Sequence, residues 1–176
     1  MNLKTQLLKV HNRQNCDLIV KWIGNDQSGF DQLLSVLLHG DFKIAQRASW
    51  PFYYSAMANP DFVGNHLKEI LENLKRTDIH GGVRRNTLNI FLHLPIPEKH
   101  EGEIMELCFS FISDLQELPA IKSSSLGILE KLSKKYPEIL PEIKIIIEDQ
   151  LSYGSTSFKK KSAGILKRLS SDCRYL

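Results

Sequence analysis

The stretch DIHGGVRRNTLNIFLHL, residues 78–94, decides the fold of this chain. Its Gly-Gly pair marks a turn, and apolar residues at helical spacing run from Val83 until Pro95. Proline ends a helix because it supplies no backbone N–H and clashes with the preceding turn. Three other stretches share the pattern: DFKIAQRASWPFYYSAM (41–57), PAIKSSSLGILEKLSKKY (119–136) and STSFKKKSAGILKRLSS (155–171).

Aligning these four stretches on Ile44, Val83, Ile121 and Phe158 gives a repeat of 37 to 39 residues. An apolar run precedes each stretch, and those runs have the spacing of a helix that is buried on one side. The sequence therefore predicts four helix pairs. A repeat of this length is typical of helix pairs that stack on one another, since one pair alone cannot bury its apolar face. We predict an all-α fold.

The predicted organisation is a single domain over residues 1–176. An N-terminal helical cap occupies residues 1–28, and the repeats occupy residues 30–60, 61–97, 98–137 and 138–171. Within the cap, two short helices are expected between residues 2 and 23, separated by the polar run HNRQN. The two glycines of Gly24–Gly29, with Asn, Asp and Ser between them, predict a loop.

Composition limits the function only weakly. The net charge is +3, and 42% apolar residues are enough to bury a continuous core. Cys16, Cys108 and Cys173 form no CxxC pair, which predicts free, mostly buried thiols in a reducing compartment. The N-terminus lacks the apolar core of a signal peptide, and no run approaches the roughly 18 apolar residues of a membrane span. We expect a cytoplasmic protein without membrane contact.

The pattern of Val83-Arg84 followed by the small residue Thr87 resembles the HEAT repeat. It recurs with lysine in the later repeats, as Ile121-Lys122 with Ser125 and Phe158-Lys159 with Ser162. The first repeat differs, with Ala45 at the basic position. The chain is also similar to a group of small bacterial HEAT-like proteins. The resemblance implies a right-handed α-α superhelix of the HEAT or armadillo type, with about four helix pairs and an N-terminal cap, that acts as a non-enzymatic binding scaffold.

In HEAT-like proteins the second helices line the concave side. The ridge of each second helix that faces away from the core is therefore the predicted binding surface. A rotation of about 100° per residue places that ridge two, six and nine residues after each anchor. We expect a protein or peptide partner to bind there, because Trp, Tyr and Arg are frequent hot spots. The predicted partner-binding residues are Trp50, Tyr53, Arg85, Asn89 and Leu92. The alternative is that Trp50 packs on the N-terminal cap.

Charge is segregated between the two sets of helices. The second helices have a net positive charge, whereas the first helices are negative or neutral. A basic face predicts an anionic partner such as nucleic acid. Its candidate residues are Arg84, Arg85, Lys122, Lys159, Lys160 and Lys167. Two other interpretations stay open: lysines in last turns favour the helix dipole, and the flank residues Arg84, Lys122 and Lys159 pair with carboxylates of a neighbouring repeat.

The nearest catalytic resemblance is to HEAT-like DNA alkylation-repair glycosylases, which place aromatic residues, an arginine and an essential aspartate in a basic groove. The aromatic residues and the arginine have candidates here in Trp50, Tyr53 and Arg85. The predicted second helices contain no aspartate, and their single carboxylate is Glu130. Since glycosidic cleavage needs a group that activates water or stabilises the cationic sugar, we expect no glycosylase activity.

The remaining candidates for chemistry are few. The six histidines and three cysteines show no spacing typical of metal ligands. We therefore predict no catalytic residue, no metal and no cofactor. The oligomeric state stays open between a monomer and a weak homodimer, because an exposed Leu92 and the C-terminal Tyr175-Leu176 are available for self-association.

Overall fold

The structure is a computed structural model that describes the backbone of residues 1–172 and their side chains, except those of Ser157 and residues 169–172. The chain divides into two compact units, Met1–Leu94 and Pro95–Leu176. Across residues 1–172 all regular structure is helical, which confirms the predicted all-α fold. The predictions for Cys173 and Tyr175-Leu176 concern residues outside the described range. The division into four repeats stays a prediction.

The first unit contains seven helices. They are α1 (Leu3–Lys9), α2 (Arg13–Ile23), α3 (Gln27–His39), α4 (Phe42–Ala58), α5 (Asp61–Gly64), α6 (Leu67–Lys75) and α7 (Gly81–His93). The two short N-terminal helices were predicted. The predicted loop Gly24–Gly29 is shorter than expected, because Asp26 caps α3 by accepting hydrogen bonds from the backbone N–H groups of Ser28 and Gly29, at 3.0 and 3.2 Å.

Helix α4 lies at the centre of the first unit, where it packs against α1, α2, α3 and α7. The anchor Ile44 is buried, and the fully buried ring of Phe52 has its centroid 5.4 Å from that of Phe30. The helix continues through Pro51, which is itself buried. Apolar packing on several sides therefore holds α4 in place.

Helices α4 and α7 lie side by side and run in the same direction. The small residues Ala48 on α4 and Thr87 on α7 are both fully buried. Beside them, Asn86 Nδ2 donates a hydrogen bond to Ser49 Oγ at 2.9 Å, and this hydroxyl donates to the Gln46 carbonyl at 2.7 Å. This buried polar link sets the register between the two helices.

Residues 95–172, the described part of the second unit, form four helices and a short 3₁₀ turn. They are α8 (Glu98–Ser113), α9 (Pro119–Leu132), the 3₁₀ turn Pro137–Ile139, α10 (Leu140–Gln150) and α11 (Thr156–Asp172). Helix α9 packs between α8 and α11, and its anchor Ile121 is fully buried. The small residues Ser125 and Ser162 are also fully buried, at the positions equivalent to Ala48 and Thr87.

A cluster around Glu101 connects the start of α8 to the chain that follows α9. Glu101 Oε2 accepts hydrogen bonds from Lys135 Nζ at 2.7 Å and from the Tyr136 hydroxyl at 2.6 Å. Lys135 also contacts Glu98, at 3.1 Å. The hydrogen bond from Lys135, followed by the one from Tyr136, lowers the pKa of Glu101, and Glu101 in turn raises the pKa of Lys135.

The close approach of α4 and α7 gives a first prediction. We expect Ala48→Leu to lower the free energy of unfolding by about 1–3 kcal/mol, because extra methyl groups at a filled helix interface displace both backbones. The measurement is urea denaturation followed by circular dichroism. The matched control is Ala58→Leu at the exposed end of the same helix, which should shift stability by no more than about 0.5 kcal/mol. Equal effects of the two substitutions would contradict the tight contact at Ala48.

The Glu101 cluster gives a second prediction, on pH. Because the pKa of Glu101 in the folded state lies below its ordinary value of 4.5, the carboxylate stabilises the fold above that pH. This stability is lost as the pH falls through the folded-state pKa. We therefore expect Glu101→Gln to lower the urea midpoint at pH 7, and the difference from wild type to vanish on acidification.

The control for this experiment is Glu106→Gln, the same change at an exposed position of α8. It should leave the urea midpoint nearly unchanged at both pH values. A difference between Glu101→Gln and wild type that stayed constant from pH 7 down to pH 3 would rule out the proposed electrostatic origin.

Candidate interaction surface on the first unit

Five rings lie next to one another on the surface of the first unit. Tyr53 is central, with its ring centroid 5.0 Å from that of Tyr54 and 6.4 Å from that of His93. Trp50 lies 6.5 Å from Tyr54 and 5.6 Å from His11 by the same measure. We call these five residues the aromatic face. The three rings on α4 are half-buried, so part of each side chain is open to solvent.

Helical geometry explains why α4 presents these rings together. Trp50, Tyr53 and Tyr54 follow the i, i+3, i+4 spacing that places side chains on one side of a helix. Their helix is held from behind by buried Ala48 and Phe52. Partial burial, followed by the influence of Tyr54, raises the pKa of the Tyr53 hydroxyl. The rings thus stand on a fixed support.

Arg13, at the start of α2, lies at one edge of the aromatic face, where it contacts Tyr54. Its guanidinium carbon lies 4.2 Å from the centroid of the Tyr54 ring, which is a cation–π distance. Its Nε also forms an ion pair with Asp17 at 2.8 Å. Arg13 therefore orients Tyr54, and its own charge is largely compensated by Asp17.

Three polar groups on α4 and α7 have no hydrogen-bond partner in residues 1–172. In residues 1–172, neither the Trp50 indole N–H nor the Tyr53 hydroxyl forms a hydrogen bond. Arg85 on α7 is exposed and forms neither an ion pair nor a hydrogen bond in the described part of the chain. These groups are available to an external ligand.

The surroundings of the aromatic face are positively charged. Burial is the main cause that lowers the pKa of His11, and Arg47 and His80 lower it further. Arg47 Nη1 donates to the carbonyl oxygens of Leu7 and Leu8, at 3.0 and 2.8 Å. These neutral groups fix the position of the guanidinium group and do not compensate its charge. Helices α4 and α7 contain no aspartate or glutamate in their sequences. The local potential therefore favours an anion.

The predicted partner-binding residues all lie on the first unit. Trp50, Tyr53 and Asn89 are half-buried, and Arg85 is exposed. Leu92 was expected to be exposed but is half-buried, which leaves less apolar surface for self-association than predicted. The alternative for Trp50 also has support, because its ring contacts His11 in the N-terminal segment. That contact covers only part of the indole.

The prediction that Lys122 binds an anion is wrong. Lys122 is buried, with only 7% of its surface exposed, and its Nζ donates a hydrogen bond to Gln150 Oε1 at 2.8 Å. The ammonium group also lies 5.9 Å from the centroid of the Phe158 ring. Burial lowers its pKa. The position after the anchor lies at a helix interface rather than on the flank, so an external anion has no access to it.

The other predicted basic residues differ in their availability. Arg84 is half-buried and donates through Nη2 to the Arg76 carbonyl at 2.7 Å. Lys159 is exposed and donates to a backbone carbonyl in the loop before α11 at 3.1 Å. Lys160 and Lys167 are exposed on α11. Binding of nucleic acid by these residues stays a prediction.

Charge pairing between helices takes place at a different position from the predicted one. Glu130 on α9 pairs with Lys161 at 3.2 Å and with Arg168, both on α11. The predicted ridge of α9 includes Gly127, six residues after the anchor Ile121. That position is wrong, because Gly127 is buried where α9 packs between α8 and α11. Part of the positive charge of α11 is therefore compensated inside the second unit.

The cysteines and histidines show no arrangement for chemistry in the described residues. Burial raises the pKa of Cys16 and of Cys108 to about 12, so both thiols are protonated at neutral pH. Both are buried, as predicted. Nowhere in residues 1–172 do three or more histidine, cysteine, aspartate or glutamate side chains come close enough to hold a metal ion.

Sequence reasoning missed four members of this surface, Tyr54, His93, His11 and Arg13. Tyr54 could have been found, since it lies four residues after Trp50 and so shares its side of the helix. His11 and Arg13 come from the N-terminal segment, which falls outside the repeat. No periodicity in the sequence relates them to α4.

Comparison with known proteins identifies the family. The family model described as a HEAT repeat domain matches residues 3–169, nearly the whole chain. Neither the curated proteins nor the solved structures include a significant match. Of the helices in the described residues, none is long and apolar enough to cross a membrane. The chain belongs to the HEAT repeat family.

Proposed function

We propose that this protein is a non-enzymatic binding module whose aromatic face, together with Arg85, binds a segment of a protein partner. HEAT repeats commonly mediate protein–protein interactions. The observation that supports this site is the cluster of half-exposed rings beside hydrogen-bond donors that have no partner in the described residues. Rings of this kind contribute much of the binding energy in protein interfaces.

The support beneath the rings favours tight binding. A ligand loses less affinity to ordering when the residues that receive it are already fixed. Helix α4 is packed on several sides, and Arg13 holds the Tyr54 ring from its edge. Trp50 and Tyr53 each combine a large apolar ring with a polar atom that forms no hydrogen bond within residues 1–172. Their burial in a complex would therefore remove the rings from water and give each donor a hydrogen-bond acceptor.

Nucleic acid is the second candidate partner, and the first unit supports it less well. A protein that binds the phosphate backbone of nucleic acid with high affinity uses lysine and arginine side chains to neutralise about 6–10 phosphates. In the first unit Arg84 donates to the Arg76 carbonyl and Arg13 pairs with Asp17. Lys122 in the second unit is buried. We therefore favour a protein partner over nucleic acid.

The proposal is tested by capture of partners from a lysate of the source cells, quantified by mass spectrometry. We expect Trp50→Ala/Tyr53→Ala to lose the partners that the wild-type protein enriches, by about 30-fold or more. That is the loss expected for hot spots of about 2 kcal/mol. Arg85→Ala should reduce the same set of partners, since this residue is exposed and forms no ion pair or hydrogen bond in the described residues.

The control for this experiment is Tyr153→Ala, which removes an exposed tyrosine from the second unit. It should retain every partner at the wild-type level. Circular dichroism at the capture temperature checks that each variant is folded. If the double variant and Arg85→Ala both enriched the same partners as the wild type, the aromatic face would not be the binding site.

A further inference from the structure

We infer that the partner segment is a short, extended and acidic stretch of polypeptide that gives carboxylate and backbone carbonyl groups to the aromatic face. This inference rests on the proposed function, since it names the ligand of the same surface. The ligand class follows from the hydrogen-bonding capacity of the surface, its charge and its length.

The available polar groups are mainly donors. An indole N–H can only donate, and a guanidinium group has five N–H donors and no acceptor. Trp50 and Arg85 are therefore complementary to acceptors, and the Tyr53 hydroxyl can donate as well. Since α4 and α7 contain no carboxylate, they provide no acidic acceptor for a basic ligand. The groups that fit are carboxylates and peptide carbonyls.

Charge complementarity selects the acidic partner. Neither Arg47 nor Arg85 forms an ion pair in the described residues, so the charges of both act on a ligand that approaches α4 and α7. The lowered pKa of His11 reports part of this potential, because Arg47 and His80 both disfavour the protonated ring. A guanidinium group without a partner on either edge can donate two parallel hydrogen bonds to one carboxylate.

The need for carbonyl acceptors favours an extended ligand over a helical one. The carbonyl groups in the middle of a helix already accept hydrogen bonds from their own chain, whereas those of an extended segment are free. Arg47 and the three rings on α4 lie within two turns of that helix, from Arg47 to Tyr54, which is a length of about 11 Å at 1.5 Å per residue. An extended chain rises about 3.3 Å per residue, so about three or four residues cover this length.

Nucleic acid is the competing ligand that shares the acidic character and the affinity for aromatic rings. A single strand would need a longer row of cations along its backbone than Arg47 and Arg85 provide on this unit. Peptide carboxylates can be spaced to match these two arginines. We therefore assign the surface to an acidic peptide, and the test includes an oligonucleotide.

The experiment is a selection of phage-displayed random nonapeptides on the immobilised full-length protein. We expect the enriched peptides to contain an excess of aspartate and glutamate. Selection on Trp50→Ala should enrich none of them, and selection on Arg85→Glu should remove the acidic excess. In fluorescence anisotropy, the best peptide should bind at least 10-fold more weakly to Arg85→Glu, and also when its own acidic residues are replaced by the corresponding amides.

The matched control is Lys160→Glu, which reverses an exposed charge on the second unit and should leave peptide affinity unchanged. A 12-residue oligothymidylate is the nucleic-acid probe. Enrichment that depends on Trp50 but shows no acidic excess would overturn this inference and leave the proposed function in place. No enrichment, or enrichment that is insensitive to Trp50→Ala, would count against the binding surface itself. Tighter, Arg85-dependent binding of the oligonucleotide would assign the surface to nucleic acid instead.

Discussion

The structure depends on how closely its helices can approach one another. Four small side chains, Ala48, Thr87, Ser125 and Ser162, each lie four residues after an apolar anchor, and all are fully buried. A larger group at any of them would separate two helices that otherwise pack with their backbones close together. This steric constraint accounts for the small residue at the same place in each of the four stretches, although most other positions vary in chemistry.

Close packing of α4 against α7 also determines what remains on the surface. Once Ala48 and Phe52 face the interior, the spacing along α4 places Trp50, Tyr53 and Tyr54 on the outer side. The link from Asn86 to Ser49 sets the register, so that His93 lies beside Tyr53. The candidate binding surface is therefore a direct result of core packing.

The fold could be predicted from the sequence because the repeat of 37 to 39 residues is recognisable from local sequence patterns alone. The buried anchors Ile44, Val83, Ile121 and Phe158 were all found in this way. The site could be predicted only in part. Periodicity gives the direction of a side chain relative to its own helix, but not which neighbouring helix covers it.

Lys122 illustrates this limit, as it has the same position in the repeat as Arg84 and Lys159. Gln150, far along the chain, accepts its hydrogen bond and lies with it in the interior. His11 shows the same limit, because it lies outside the repeat and yet contacts Trp50, which lies inside it. Both contacts depend on tertiary packing, and the repeat pattern contains no information about either.

The hydrogen bond between Lys122 and Gln150 has a consequence for how this protein can change during evolution. Gln150 also donates through Nε2 to the Ile112 carbonyl at 2.6 Å, so one amide on α10 serves both α8 and α9. Duplication or exchange of a helix pair at this point would leave a buried ammonium group without its acceptor, at a substantial cost. The modules of this unit are therefore not interchangeable, and its number of repeats is harder to alter than that of an array with purely apolar junctions.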